Sequence, residues 1–134
     1  MKPYTKEMQL GKQKKGVKIP PRSKRSEFTK KDRKRIIDLY GEHCQFCFSP
    51  YIEFHHRKYR SQSGRNNPRN GAPLCHDCHK YVHENIKAAE FLRNEAIERF
   101  GLDYYKDKYD LWREGKISDP DDSLLEKYFR SWGK

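Results

Sequence analysis

The chain has 134 residues, 37% of them charged and 34% apolar, and its 30 Lys and Arg against 19 Asp and Glu leave a formal charge of +11. That length suits one domain with a modest core, which gains from an added staple such as a structural metal. The charge directs attention to a polyanionic partner, nucleic acid first, while no stretch approaches the roughly 20 apolar residues that a membrane-spanning helix needs.

The N-terminal stretch lacks the apolar segment of a secretion signal, so the expected location is the reducing cytoplasm, where four cysteines read as metal ligands rather than disulfides. Residues 1–27 carry nine Lys and Arg against Glu7 and Glu27, together with Pro3, Pro20, Pro21, Gly11 and Gly16. Too few apolar groups are present to offset the entropy of ordering. The expectation is a basic tail, disordered when free, which serves either solubility or DNA contact.

At Thr29-Lys30-Lys31-Asp32 the pattern becomes that of a capping box with Asp in place of Glu, and Ile36, Ile37, Leu39 and Tyr40 supply an apolar stripe before Gly41. This predicts a short helix delivering the chain to Cys44. Tyr51 to Tyr59 is rich in aromatic and β-prone residues and predicts a strand or hairpin arm. Ser61 to Asn70 reads as a loop with Arg65 and Arg69 embedded in it, and Ala72 to Leu74 as a brief returning strand. A helix is expected from Asp77 to Glu84. A second follows, capped by Asn85, with Ile86, Ala89, Leu92, Ala96, Ile97 and Phe100 at helical spacing before Gly101. Two shorter helical stretches are expected near 103–114 and 121–131, their aromatics (Tyr105, Tyr109, Trp112, Tyr128, Phe129, Trp132) serving packing.

Cys44-Gln45-Phe46-Cys47 and Cys75-His76-Asp77-Cys78 form two C-x2-C pairs with 27 residues between them. Each two-residue spacer lets a tight turn aim both thiolates at one ion, and two such pairs make a closed tetrahedral zinc site. A closed site has no position for a reacting water, so this zinc is structural. His55, His56, His79 and His83 then remain as spare ligands or bases. A His-His pair on a strand sends its rings to opposite faces, and His79 and His83 are one helical turn apart, a spacing that suits a shared divalent ion. The alternative is a mixed thiolate–imidazole zinc shell with no second ion. His43 and His76 read as loop or supporting residues.

These residues resemble the HNH endonuclease superfamily over Cys44–Cys47, Glu53-Phe54-His55-His56-Arg57 and Asn70 through His83. The resemblance implies an α+β fold with a ββα-metal core braced by a four-cysteine zinc knuckle, a flanking N-terminal helix and C-terminal helices. It divides the chain into the basic tail 1–27, a nuclease domain 28–100 and a helical extension 101–134 packed on the same domain. His56 resembles the general base, and His55, His79 and His83 the ligands of a catalytic Mg²⁺, Mn²⁺, Ni²⁺ or similar cation, beside the structural Zn²⁺ on Cys44, Cys47, Cys75 and Cys78. His55 stands where Asp is commoner in the family, which softens the ligand set and widens the choice of metal. Asn70 matches the central Asn that fixes the loop carrying the base, with Asn66 and Asn67 as competitors. The implied activity is DNA hydrolysis leaving 5′-phosphate and 3′-hydroxyl ends, with Arg57, Lys58, Arg60, Arg65 and Arg69 as candidate phosphate contacts. Small members of this kind resemble phage-encoded proteins, which makes a phage or mobile-element protein a candidate partner beside DNA. The competing function is a non-catalytic zinc-knuckle protein that binds nucleic acid.

Overall fold

A computed structural model describes residues 17–132. In chain order the elements are α1 (Arg22–Ser26), α2 (Lys30–Tyr40), β1 (Glu53–His56), β2 (Gly71–Leu74), α3 (His76–Glu84), α4 (Ile86–Phe100), α5 (Lys108–Arg113) and α6 (Asp122–Trp132), with 3-10 turns at Arg60–Gln62 and Pro68–Asn70. The class is α+β, as expected, and residues 1–16 of the basic segment lie outside the described residues.

Helix α2 starts where the capping box places it. Thr29 Oγ1 accepts from the Asp32 N–H, and the Asp32 carboxylate accepts from the Thr29 N–H. Both orphan donors of the first turn are thereby satisfied. The helix stops at Gly41, whose φ of 100° lies where a side chain would be strained. From there the chain turns through Cys44–Cys47 and is pinned to β2 by a bond from the Gln45 N–H to the Pro73 carbonyl.

β1 and β2 pair antiparallel, Glu53 opposite Leu74, Phe54 opposite Pro73, His55 opposite Ala72 and His56 opposite Gly71. The pair alone could not be stable in water. It is covered by α3 on one side and by α2, where Ile36 closes on Gly71 so tightly that a Cβ there would stand 2.2 Å from the Ile36 methyl. Cys44, Ala72, Leu74, Val82, Ala89 and Leu92 form the main core, uniting knuckle, strands and the α3–α4 pair. Full burial of a side chain such as Leu92 contributes about 1.5–3 kcal/mol. A second cluster, Leu111, Leu125 and Phe129, joins α5 to α6.

The end of the basic segment is built into this domain, which corrects the expectation of a tail through residue 27. Arg25 reaches Asp107 at 2.8 Å and Asp110 at 2.8 Å, and Ser26 and Phe28 are buried. The predicted strand near 51–59 is shorter than expected: Tyr51 is exposed and the ladder begins at Glu53. The expected loop 61–70 is ordered by its two 3-10 turns, the second capped by the Asn67 side chain, which accepts from the Arg69 N–H.

Candidate active site

The four cysteines converge from two elements. Cys44 and Cys47 come from the turn after α2, and Cys75 and Cys78 from the first turn of α3, where Cys75 is the N-cap and its sulfur accepts from the Cys78 N–H. All four sulfurs lie within 4.8 Å of one another, Cys47 and Cys75 at 3.5 Å. Four thiols this close cannot all ionise without a cation. Backbone N–H donors from Cys75, Cys47 and Phe46 overcome burial to pull Cys44 down to about 6. Burial and the neighbouring thiols push Cys78 up. The donor set, its convergence and its charge problem all fit a tetrahedral Zn²⁺.

A second cluster stands apart from the first. His55 on β1 and His79 and His83 on α3 bring their ring nitrogens within 4.8 Å of one another. Their ring centroids form a nearly equilateral triangle of 5.1, 5.2 and 5.0 Å. The alternative of histidines entering the zinc shell is therefore not what the chain adopts, since the imidazoles and thiols gather separately. His55 is the informative member: it is 1% exposed, and neither ring nitrogen has a hydrogen-bond partner among the described residues. A buried polar atom left unpaired carries a desolvation penalty unless a ligand satisfies it. Burial, then the proximity of His79, His83 and Arg57, lowers the His55 pKa to about 3, so its ring is neutral and available to a cation.

Glu53, two residues before His55, completes this cluster. Its Oε1 accepts from His79 Nδ1 at 2.8 Å and its Oε2 from His76 Nδ1 at 3.0 Å. Those bonds, led by that from His79, hold the Glu53 carboxyl below its ordinary range. With its proton on Nδ1, a neutral His79 keeps its lone pair on Nε2, the arrangement in which a carboxylate orients a metal-binding imidazole. The sequence alone gives Glu53 no role. Its signal was the alternation Glu53–His55, which puts both side chains on one face of β1.

His56 points to the other face. Its Nε2 lies 2.5 Å from the Ser26 carbonyl oxygen, and its ring stacks on Phe28 at 4.1 Å and 14°. A carbonyl only accepts, so Nε2 carries the hydrogen and the lone pair of the neutral ring is on Nδ1. Burial depresses the His56 pKa, assisted by Arg60 and His79 and opposed by the Ser26 bond. The ring is thus neutral near neutrality, as a proton acceptor must be. Ser26 and Phe28 were missed by sequence reasoning, because nothing local in a basic segment says that it folds back onto a strand 30 residues away.

Asn70 is fully buried. Its Oδ1 accepts from the Lys58 N–H at 2.7 Å, and its Nδ2 donates to the carbonyls of Lys58 and Arg65. It therefore pins the chain two residues beyond His56. Asn67 caps the 3-10 turn and donates to the Lys106 carbonyl, and Asn66 donates to the carbonyls of Lys24 and Glu27. Among the three asparagines, Asn70 alone braces the His56 strand.

The candidate phosphate contacts divide. Arg57 is completely buried and donates to the Gly71 and Leu92 carbonyls, Glu95 and Gln45. Arg65 is occupied by Asp110 at 2.9 Å and Arg69 by Glu126 at 2.8 Å, each with its side chain about nine-tenths buried. All three guanidiniums, candidate phosphate contacts by sequence, are committed to partners within the fold. Lys58, half-buried over the Tyr105 ring, and Arg60, exposed beside Ser26, retain free faces.

Residues 42–85 match the family model described as HNH endonuclease, a stretch that spans both cysteine pairs and all four site histidines. A search of curated proteins found no match, and neither did a search of solved structures.

Proposed function

We propose, from the match of residues 42–85 to the HNH endonuclease family model, that this chain is a metal-dependent endonuclease hydrolysing DNA phosphodiester bonds. The observation that carries the reading is the buried, unpartnered His55 ring, which forms a three-imidazole triangle with His79 and His83. A core histidine serving packing alone would have found a hydrogen-bond partner.

His55, His79 and His83 would hold a divalent cation, which when bound supplies charge neutralisation at the phosphodiester and stabilisation of the leaving 3′ oxygen. Glu53 fixes the His79 ring for that task. His56, its Nε2–H held by the Ser26 carbonyl, takes a proton from water at Nδ1 as the oxygen attacks phosphorus in line. The products are a 5′-phosphate and a 3′-hydroxyl. Asn70 holds the strand that presents the base, and Lys58 and Arg60 steady flanking phosphates. Cys44, Cys47, Cys75 and Cys78 would hold Zn²⁺ purely for shape.

Plasmid DNA incubated with the protein and Mg²⁺, Mn²⁺ or Ni²⁺ tests this reading beside a metal-free control and a His56→Ala variant. Metal-dependent nicking should disappear in the variant while its fold and DNA binding persist. Equal nicking by variant and parent overturns the base assignment. Absence of cutting under every metal, with DNA binding retained, leaves a zinc-knuckle protein that binds nucleic acid.

A further inference from the structure

Beyond the histidine triangle lies a groove that the motif does not account for. Tyr59 forms the partition: its ring meets His55 edge-on at 5.9 Å and stacks on His83 at 5.5 Å and 23°. On the far side the 58–62 turn and the start of α4 enclose about 570 Å³ lined by Lys58, Gln62, His83, Ile86 and Arg93. His83 therefore belongs to both the triangle and the groove wall.

The charges here are what set the groove apart. Arg25, Arg35, Arg57, Arg65 and Arg69 each face a carboxylate within 3.2 Å. Lys58 and Arg93 are half-buried too, yet among the described residues neither has a carboxylate partner: Lys58 has only the Tyr105 ring face, and Arg93 donates no hydrogen bond. Glu84, also in the lining, pairs with neither. Partial burial of an uncompensated cation is unfavourable unless an anion arrives from outside. Ile86, 72% exposed, adds an apolar edge beside the Tyr59 ring. Two cations, an amide and an apolar edge next to a candidate catalytic centre match a sugar–phosphate backbone, which alternates anionic and weakly polar surface. Arg93 lies outside residues 42–85, so this feature belongs to the chain rather than to the matched motif.

We propose that the groove between Tyr59 and Arg93 is a nucleic-acid strand subsite, in which Arg93 and Lys58 each contact a backbone phosphate adjoining the one to be cut. The proposal rests on the endonuclease reading for its direction, since it takes the strand to cross the histidine triangle. It makes no base contacts, and its contribution is independent of sequence.

Salt dependence measures such contacts directly, because each neutralised phosphate releases condensed counterions and adds about 0.9 to the slope of log affinity against log salt for duplex DNA. The measurement uses the His56→Ala chain, so that no strand is cut, with a short fluorescein-labelled duplex and fluorescence anisotropy across a salt series. Arg93→Gln and Lys58→Gln should each flatten the slope by about 0.9, and the double variant by about 1.8, for duplexes of unrelated sequence. Arg93→Lys should keep the parent slope. Lys127→Gln on the exposed face of α6 removes equal charge and should leave it unaltered. In the chain with His56 intact, Arg93→Gln should raise KM and spare kcat. Parent-like slopes in both Gln variants overturn the proposal. If the slopes fall but the parent nicks no DNA, the groove stands and the endonuclease reading fails; if the parent nicks and the slopes hold, the groove alone fails.

Discussion

Arg57 directly follows His56, yet its guanidinium turns inward and lies 3.9 Å over the Tyr40 ring. Its donors reach the knuckle turn at Gln45, the start of β2 at Gly71 and helix α4 at Leu92 and Glu95. Removing it leaves the Glu95 carboxylate with only the Gln45 amide as donor and takes one donor from each of two buried carbonyls. Arg57→Ala should therefore cost about 3–5 kcal/mol of stability, read by chemical denaturation of the metal-loaded protein. Arg57→Lys should recover only part of that, because an ammonium cannot reproduce a planar fork bonded on several sides. An unfolding free energy unchanged in Arg57→Ala would refute the structural role. The sequence made this residue look like a DNA contact because its chemistry suits either use. What decides between them is the position of Glu95, 38 residues on, just as Asp110 decides for Arg65 and Glu126 for Arg69. The imidazoles and thiols were legible because their i, i+4 and C-x2-C spacings specify geometry locally. Long-range ion pairs leave no such trace.

At the scale of elements, the same division separates capped helices from the segment before them. Thr29, Gly41, Asn85 and Gly101 mark the ends of α2 and α4 through bonds made within four residues, so those ends could be read directly. The last part of the basic segment could not, because its anchors Asp107 and Asp110 lie more than 80 residues away. Its function is now concrete: α1 and Phe28 form one wall of the His56 seat. In Phe28→Ala the ring loses its stacking surface while metal ligands and the strand subsite are untouched. Its kcat should fall between about ten- and a hundredfold, with KM and zinc content preserved, in steady-state nicking assays. Loss of DNA affinity in place of kcat would instead assign Phe28 to binding. The C-terminal pair α5–α6 depends on Asp103, which accepts from Lys116 at 2.7 Å and Tyr128 at 2.5 Å and pairs with Lys106 at 2.9 Å. Burial would raise this carboxyl, but those donors outweigh it and bring the pKa down to about 2. A depressed carboxyl contributes stability that is complete above its unfolded value near 4 and drains away as pH falls toward 2. Thermal midpoints followed from pH 5 to 2 should decline through that window, and Asp103→Asn should begin lower and decline less steeply, the remainder coming from other depressed carboxyls such as Asp110 and Glu126. A variant with the parent's acid profile would remove Asp103 from this account.

For the whole molecule, the proposed division of labour between the two ion sites predicts an order of loss from their surroundings. The thiolate site ties Cys44–Cys47 to the start of α3 and is continuous with the main core through Cys44, Ala72 and Leu74. The imidazole site is held from one side by a strand and from the other by a helix ending in the exposed His83, and its histidines are kept in place by secondary structure, Glu53 and Tyr59, none of which needs the cation. A chain with so small a core should not survive loss of the first ion, whose binding is folding free energy, but should survive loss of the second. Increasing chelator should accordingly remove the histidine-bound cation and abolish nicking while circular dichroism stays unchanged. Zinc release and unfolding should then follow together at higher chelator. Cys75→Ser should reach the unfolded end point without chelator, and His79→Ala should retain zinc and fold. Gln45 makes the second stage matter for activity as well as shape, because it sits between Cys44 and Cys47 and bonds Arg57, the neighbour of His56. Opening the knuckle thereby withdraws support from the strand that presents the base. Simultaneous loss of activity and helical signal at the lowest effective chelator would contradict this separation, since it would mean that one ion serves both the fold and the chemistry.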